Sequence, residues 1–225
     1  MDEIILRANN IFKSYSNGEE NLSVLSDLSL TIKQKEIITI TGQSGSGKST
    51  LLNILGTLDQ PDSGKLEIGG QNIMNLDKNQ IAKIRNEKIG FVFQFHHLLS
   101  EFTALENVLM PVWIKGSIQN EKKEAIQLFE KLNLISKVHY FPNQLSGGER
   151  SRIALIRGII NKPDILFADE PTGNLDKNNA AILVDLLKKI NIDFNQTIII
   201  TTHNPRIAEI GHSRYMLKNG LLNYK

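Results

Sequence analysis

One segment constrains this chain more than any other: Gly42-Gln43-Ser44-Gly45-Ser46-Gly47-Lys48-Ser49, which fits the spacing G-x-x-x-x-G-K-[ST]. Ahead of it, Ile37 to Thr41 (IITIT) is a short β-branched run that reads as a buried strand. Behind it, Leu51-Leu52-Asn53-Ile54-Leu55 has helical spacing until Gly56 stops it. Strand, glycine-rich loop and helix in that order predict backbone N–H groups turned inward toward an anion, with the positive end of a helix dipole behind them. The pattern implies that Lys48 reaches the β- and γ-phosphates of a nucleotide and that the Ser49 hydroxyl ligates Mg²⁺.

The strand candidates that follow set the fold class. Ile89 to Phe93, Asp164 to Ala168 and Thr197 to Thr202 are apolar runs separated by helical patterns, as in a mostly parallel sheet. The first part of the chain differs: Ile4 to Tyr15, Val24 to Ile32 and Lys65 to Ile68 read as strands separated by turns such as Asn17-Gly18. The expectation is an α/β fold of the P-loop NTPase (RecA-like) type with an antiparallel β flank. Asn120 to Leu134 is amphipathic, with Ala125, Leu128, Phe129 and Leu132 on one face. With Ala104 to Ile114 and the helix after Gly148 it makes a helical subdomain, 95–161, inserted between core segments 1–94 and 162–225 of a single domain.

Composition removes several alternatives. With 225 residues and 40% hydrophobic content the chain can bury a core. Its 26 basic and 24 acidic residues give a net charge of +2, without the dense basic field that nucleic acid calls for, so no nucleic-acid partner is expected. It has no cysteine, which excludes disulfides, Cys-ligated zinc and iron–sulfur clusters. Acidic residues stand where a secretory leader carries positive charge (Met1-Asp2-Glu3), and no run is long and apolar enough to span a membrane. Membrane contact is therefore expected through a partner.

Two further segments carry chemistry. Ile165-Leu166-Phe167-Ala168-Asp169-Glu170 is an apolar strand ending in two carboxylates. Beside a phosphate loop, Asp169 suits Mg²⁺ and Glu170 suits a base that polarises the attacking water; read alone, the pair also fits a helix cap or a solvated turn. Leu145-Ser146-Gly147-Gly148-Glu149-Arg150 precedes the helical run Ile153, Leu155, Ile156, Ile159, Ile160. Ser146 is a natural N-cap and the glycines leave the first N–H groups uncovered, which describes an anion site as well as a simple capped helix.

With these segments in hand, the chain resembles the ATP-binding-cassette family over nearly its whole length. LSGGE is similar to that family's signature, Gln94 falls at its Q-loop glutamine, Asn174-Leu175-Asp176 at its D-loop, His203 at its switch histidine and Tyr15 at the aromatic that stacks on adenine. The resemblance implies ATP and Mg²⁺ as ligands, with Glu170, His203, Gln94 and Lys48 catalytic. It places the nucleotide against Tyr15, the loop from Gly42 through Ser49 to Thr50, and Ser146, Gly147, Gly148 and Asp176, and the metal against Ser49, Gln94 and Asp169. It also implies a head-to-tail homodimer, because one chain holds two half-sites and completes neither. Glu149 is a departure, since many cassettes carry Gln there.

The segment from Phe93 to Val108 (FQFHHLLSEFTALENV), together with ADEPTGNLD, LGTLDQP and LSGGER, resembles the ATPases of lipoprotein-releasing transporters; the last three also resemble MacB-type exporters and FtsE-type division ATPases. The branch implies a peripheral place on the cytoplasmic face of the inner membrane, with transmembrane permease subunits received near Phe95 to Phe102. That stretch is apolar (Phe95, Leu98, Leu99, Phe102), which fits a partner surface or packing inside the helical insert. The adjacent His96 and His97 read as surface or interface residues, because neighbours cannot easily share one metal and no other ligand stands near. A GTPase would show a guanine-reading N-K-x-D-like segment, and none stands in a suitable place.

Overall fold

The computed structural model describes residues 3–18, 20–116 and 121–225; Met1, Asp2 and Asn120, on which the leader reading and the start of one expected helix rest, lie outside them. β1 (Ile4–Asn17) and β2 (Glu20–Lys33) form a long antiparallel hairpin, and β4 (Ser63–Ile68) and β5 (Gln71–Asn72) extend it into a four-stranded sheet of order β2-β1-β4-β5. β3 (Ile37–Thr41), β6 (Ile89–Val92), β7 (Ile165–Asp169), β8 (Thr197–Thr202), β9 (Ser213–Lys218) and β10 (Leu221–Tyr224) make a second sheet, ordered β10-β9-β3-β8-β7-β6. Its pairs are parallel except for the β9–β10 hairpin. An α/β fold with an antiparallel flank is thus what forms.

Both faces of the central sheet are covered, which is why its strands read as unbroken apolar runs. Leu166, Ala168, Ile198 and Ile200 face a core shared with α3 (Ala104–Lys115), α4 (Glu121–Lys131), α5 (Gly147–Ile159) and α6 (Lys177–Phe194). Their neighbours Ile165, Phe167 and Ile199 point the other way, into a core with α1 (Lys48–Leu55) and the antiparallel flank. α5 lies very close to β6: a Cβ on Gly90 would collide with the Gly158 carbonyl, so only glycine admits that approach.

The helical pattern expected between β7 and β8 forms as α6, whereas α2 (Lys78–Lys88) and the β9–β10 hairpin were not anticipated. α2 buries only Ile84 among its own residues, too little to give an apolar period, although Asp77 and Gln80 form a capping box at its start. The β9–β10 hairpin turns at Asn219-Gly220, both at positive φ (51° and 74°). α6 starts on Asp176, whose carboxylate accepts from the N–H groups of Asn178 and Asn179.

Candidate functional site

Because β3, β8, β7 and β6 are consecutive and parallel, their C-terminal ends lie along one edge, where open α/β sheets bind ligands. Each end carries one of the residues singled out above: the glycine-rich loop after β3, His203 after β8, Asp169 and Glu170 at β7, and Gln94 just past β6. A cleft of about 630 Å³ there is lined by Tyr15, Ser44, Gly45, Gly47, Lys48, Ser49, Thr50, Gln94, Glu170 and His203, with Val24. The long hairpin of the flank supplies Tyr15 and Val24.

Within the loop, Gly47 precedes α1 with φ 97°, a left-handed conformation that L side chains rarely adopt. Lys48 is 8% exposed, and its Nζ donates to the carbonyls of Gly42 and Gln43, each at 3.0 Å. The same nitrogen stands 3.7 Å from Glu170 Oε1. The Ser46 hydroxyl is buried with no hydrogen-bond partner among the described residues. Gly42, Gln43 and Ser46 line an adjoining cavity, which shares Val24, Ser44, Gly45 and His203 with the cleft.

Glu170 is the hub of the site. It adopts φ 43°, held by its N–H bonding to the Thr201 carbonyl at 3.0 Å, and this left-handed turn directs the carboxylate back over the sheet edge. Its Oε2 accepts from the His203 backbone N–H at 3.1 Å and lies 2.9 Å from His203 Nδ1. Asp169 is the last residue of β7, one position beyond the expected strand end, and Thr201 Oγ1 donates to its Oδ1 at 2.6 Å. The Gln94 carbonyl accepts from Asn174 Nδ2 at 3.1 Å, tying the segment after β6 to the residue after Gly173.

Ser146, Gly147, Gly148 and Asp176 do not line that cleft. Ser146 caps α5 reciprocally with Glu149: Ser146 Oγ accepts from the Glu149 N–H at 3.3 Å, and Glu149 Oε2 accepts from the Ser146 N–H at 2.8 Å. The departure at Glu149 thus has a structural role, completed by Lys137 Nζ at 3.4 Å. Burial pushes the Glu149 carboxyl up, but the bonds from Ser146 and Lys137 outweigh it and hold the group below its usual value.

The stretch after Gln94 divides. Phe95 (71% exposed) and Leu99 (40%) face outward, whereas Leu98 packs on the core beside α3 and α5 and Phe102 stacks at an angle on Trp113. His96 and His97 are consecutive left-handed residues (φ 56° and 48°), and Arg157 of α5 donates to both of their carbonyls at 2.6 Å. Only His97 is exposed as expected of the pair; His96 is half-buried, with Nε2 2.6 Å from Ser151 Oγ. Ser151 in turn donates to the Gly147 carbonyl at 3.1 Å, linking this loop to the start of α5. Burial first, then the charges of Arg150 and Arg157, lowers the His96 pKa and favours neutral imidazole.

A phosphate loop at the end of a parallel strand, facing a carboxylate pair across that sheet edge, defines a P-loop nucleotide-binding protein. A family model for the ABC transporter matches residues 25–173, and the chain belongs to that family as an ATP-binding cassette. The lipoprotein-releasing system ATP-binding protein LolD of Buchnera aphidicola subsp. Schizaphis graminum is 44% identical over 222 residues, 98% of this chain and 97% of that protein. Its counterpart in Treponema pallidum is 43% identical over 223 residues, 99% of each chain. Among solved structures, the dimeric ABC transporter cassette MJ0796 superimposes with a TM-score of 0.90 at 39% identity, covering 97% of both chains. A dimeric post-hydrolysis state of MJ0796 bound to ADP and Pi gives 0.91 at 38% identity, covering 98% of both. Among the described residues no helix is long and apolar enough to cross a membrane.

Proposed function

We propose that this chain is the ATP-hydrolysing subunit of a transporter that releases lipoproteins from the inner membrane toward the outer membrane. The observation that carries the hydrolytic reading is the Glu170 carboxylate held at the sheet edge between Lys48 and His203. From there Glu170 accepts a proton from the water whose oxygen attacks the γ-phosphorus, as the bond to the bridging β–γ oxygen breaks and ADP leaves. Lys48 moves from the loop carbonyls to the phosphate oxygens, and His203 holds the γ-phosphate. Ser49, Asp169 and Gln94 supply the oxygen donors that suit Mg²⁺, which when bound offsets phosphate charge. The Asp169 carboxylate is already oriented for this by Thr201.

The cleft lacks the Ser146-Gly147-Gly148 helix end, which supports a head-to-tail homodimer in which each chain's loop meets its partner's signature. The dimeric state of the MJ0796 cassettes supports the same arrangement. The helical insert, 95–161, then transmits pairing to transmembrane permease subunits, which meet the outward-facing Phe95 and Leu99 at the cytoplasmic face. Full-length similarity to LolD proteins supports lipoprotein release over export or division. The test is to purify the chain from membranes and identify the transmembrane subunits that accompany it. Permeases of a lipoprotein-releasing system are expected; those of a peptide exporter or a division complex would overturn the substrate assignment.

A further inference from the structure

The cleft residue Tyr15 is not a free surface ring. Its hydroxyl donates to Asp59 Oδ2 at 2.8 Å, across 44 residues of sequence. Asp59 sits in the turn that follows α1, where the N–H groups of Leu58 and Asp59 both donate to the Asn53 carbonyl (2.8 and 3.2 Å). The other carboxylate oxygen of Asp59 takes Lys13 Nζ at 3.0 Å. Lys13 also donates to the Gln60 carbonyl at 2.7 Å, and its ammonium lies over one face of the Tyr15 ring, 5.1 Å from the centroid. Next to it, Asp62 accepts from the Ser14 N–H (2.7 Å) and hydroxyl (2.8 Å). The strand segment carrying Tyr15 is thus stitched, residue after residue, to the turn that ends the phosphate-loop helix.

We infer that Asp59, seated on Lys13, is a positioning residue for Tyr15: it fixes the ring relative to α1, so that a base can stack on the face not covered by Lys13 while the triphosphate lies in the loop. Nucleotide affinity then depends on a carboxylate that the cleft does not expose to the ligand. The chemistry at the pin is consistent with this. Burial and the bond to Asp59 both raise the phenol's pKa, so Tyr15 remains a donor at neutral pH. Burial raises the Asp59 carboxyl, but the bonds from Tyr15 and Lys13 lower it further, so Asp59 stays an ionised acceptor. With one ring face under an ammonium and the hydroxyl fixed, the ring has little rotational freedom left to lose when a base arrives.

The inference rests on Tyr15 being the base-stacking residue, and the experiment separates the two. Equilibrium binding of MgATP and of magnesium tripolyphosphate, which has no base, is measured for the parent, Tyr15→Ala, Tyr15→Phe, Asp59→Asn, Asp59→Ala and the Tyr15→Phe/Asp59→Ala double variant. Tyr15→Phe and Asp59→Ala should each weaken MgATP by about three- to ten-fold, the size of one hydrogen bond. The double variant should be no weaker than Asp59→Ala alone, because the bond that Tyr15→Phe removes is already absent there. Asp59→Asn, which keeps an acceptor but loses the charge that holds Lys13, should fall in between. Tripolyphosphate affinity should be unchanged throughout, which a merely misfolded variant could not achieve. If Tyr15→Ala binds MgATP as the parent does, the stacking assignment itself fails. If Tyr15→Ala weakens MgATP while Tyr15→Phe and Asp59→Ala do not, or if their effects add, the positioning role of Asp59 is overturned.

Discussion

Arg157→Met tests whether the outward turn after Gln94 is built by α5 or merely rests on it. Arg157 donates one bond to the His96 carbonyl and one to that of His97, and both of those residues are left-handed. Each charge-assisted bond is worth about 1.5–3 kcal/mol. The left-handed conformation costs a non-glycine residue about 1–2 kcal/mol. Methionine retains an apolar stem but removes both donors, so the loop relaxes and the released strain offsets part of the lost bonding. The balance is a destabilisation of about 1–2 kcal/mol, read in urea as a lower midpoint at unchanged slope. Amide hydrogen exchange from Phe95 to Phe102 should rise with it, because the segment that presents Phe95 loses its anchor. Arg157→Lys keeps the charge without the planar fork and should lie between parent and methionine. Unfolding within about 0.5 kcal/mol of the parent, together with unchanged exchange over the loop, would mean that Arg157 does not hold the turn.

Lys48→Ala should lower ATP turnover by at least about 10²-fold in a steady-state phosphate-release assay, as expected when one charge-stabilising donor is removed. Gly148→Ala places a methyl against the Asn179 side chain, which is bonded to Asp176, and should destabilise the fold by about 1–3 kcal/mol in urea by prising α5 from the start of α6. Glu149 has a folded pKa below its unfolded value, so its contribution is present above the unfolded value and fades as pH falls through the folded one. Glu149→Gln should therefore flatten the decline of thermal stability in that acidic window, and an unchanged acid limb would count against the cap.

Much of the site was legible because its chemistry is local. The glycine-rich loop, its strand Ile37–Thr41 and the strand Thr197–Thr202 announce themselves by β-branched runs and one fixed spacing, and the structure places those strands at the bounds expected. What stayed hidden is the set of groups that hold the site residues in place. Thr201 orients Asp169 from a strand over 30 residues away, and Asp59, itself seated on Lys13, holds Tyr15 across a comparable separation. Arg157 and Ser151 look like ordinary polar positions on an amphipathic helix, and only the packing of α5 against β6 shows that they clasp His96 and His97. Such contacts leave no periodicity or motif, because each is made by residues whose neighbours in sequence point elsewhere. The Asn219-Gly220 turn and the Asp77 to Gln80 capping box were readable signals that point to the β9–β10 hairpin and α2.

On the proposed head-to-tail pairing, the loop from Gly42 to Ser49 is half of a site whose other half is the Ser146-Gly147-Gly148 helix end of a second copy. Sedimentation velocity of Glu170→Gln in MgATP, with and without Ser146→Arg, reads out that pairing. Glu170→Gln should sediment as a dimer, because ATP is bound but not consumed. With Ser146→Arg added it should sediment as a monomer that still binds ATP, because the arginine blocks only the half-site offered to the partner. A Glu170→Gln chain that remains monomeric in saturating MgATP, or a dimer that survives Ser146→Arg, would contradict the pairing.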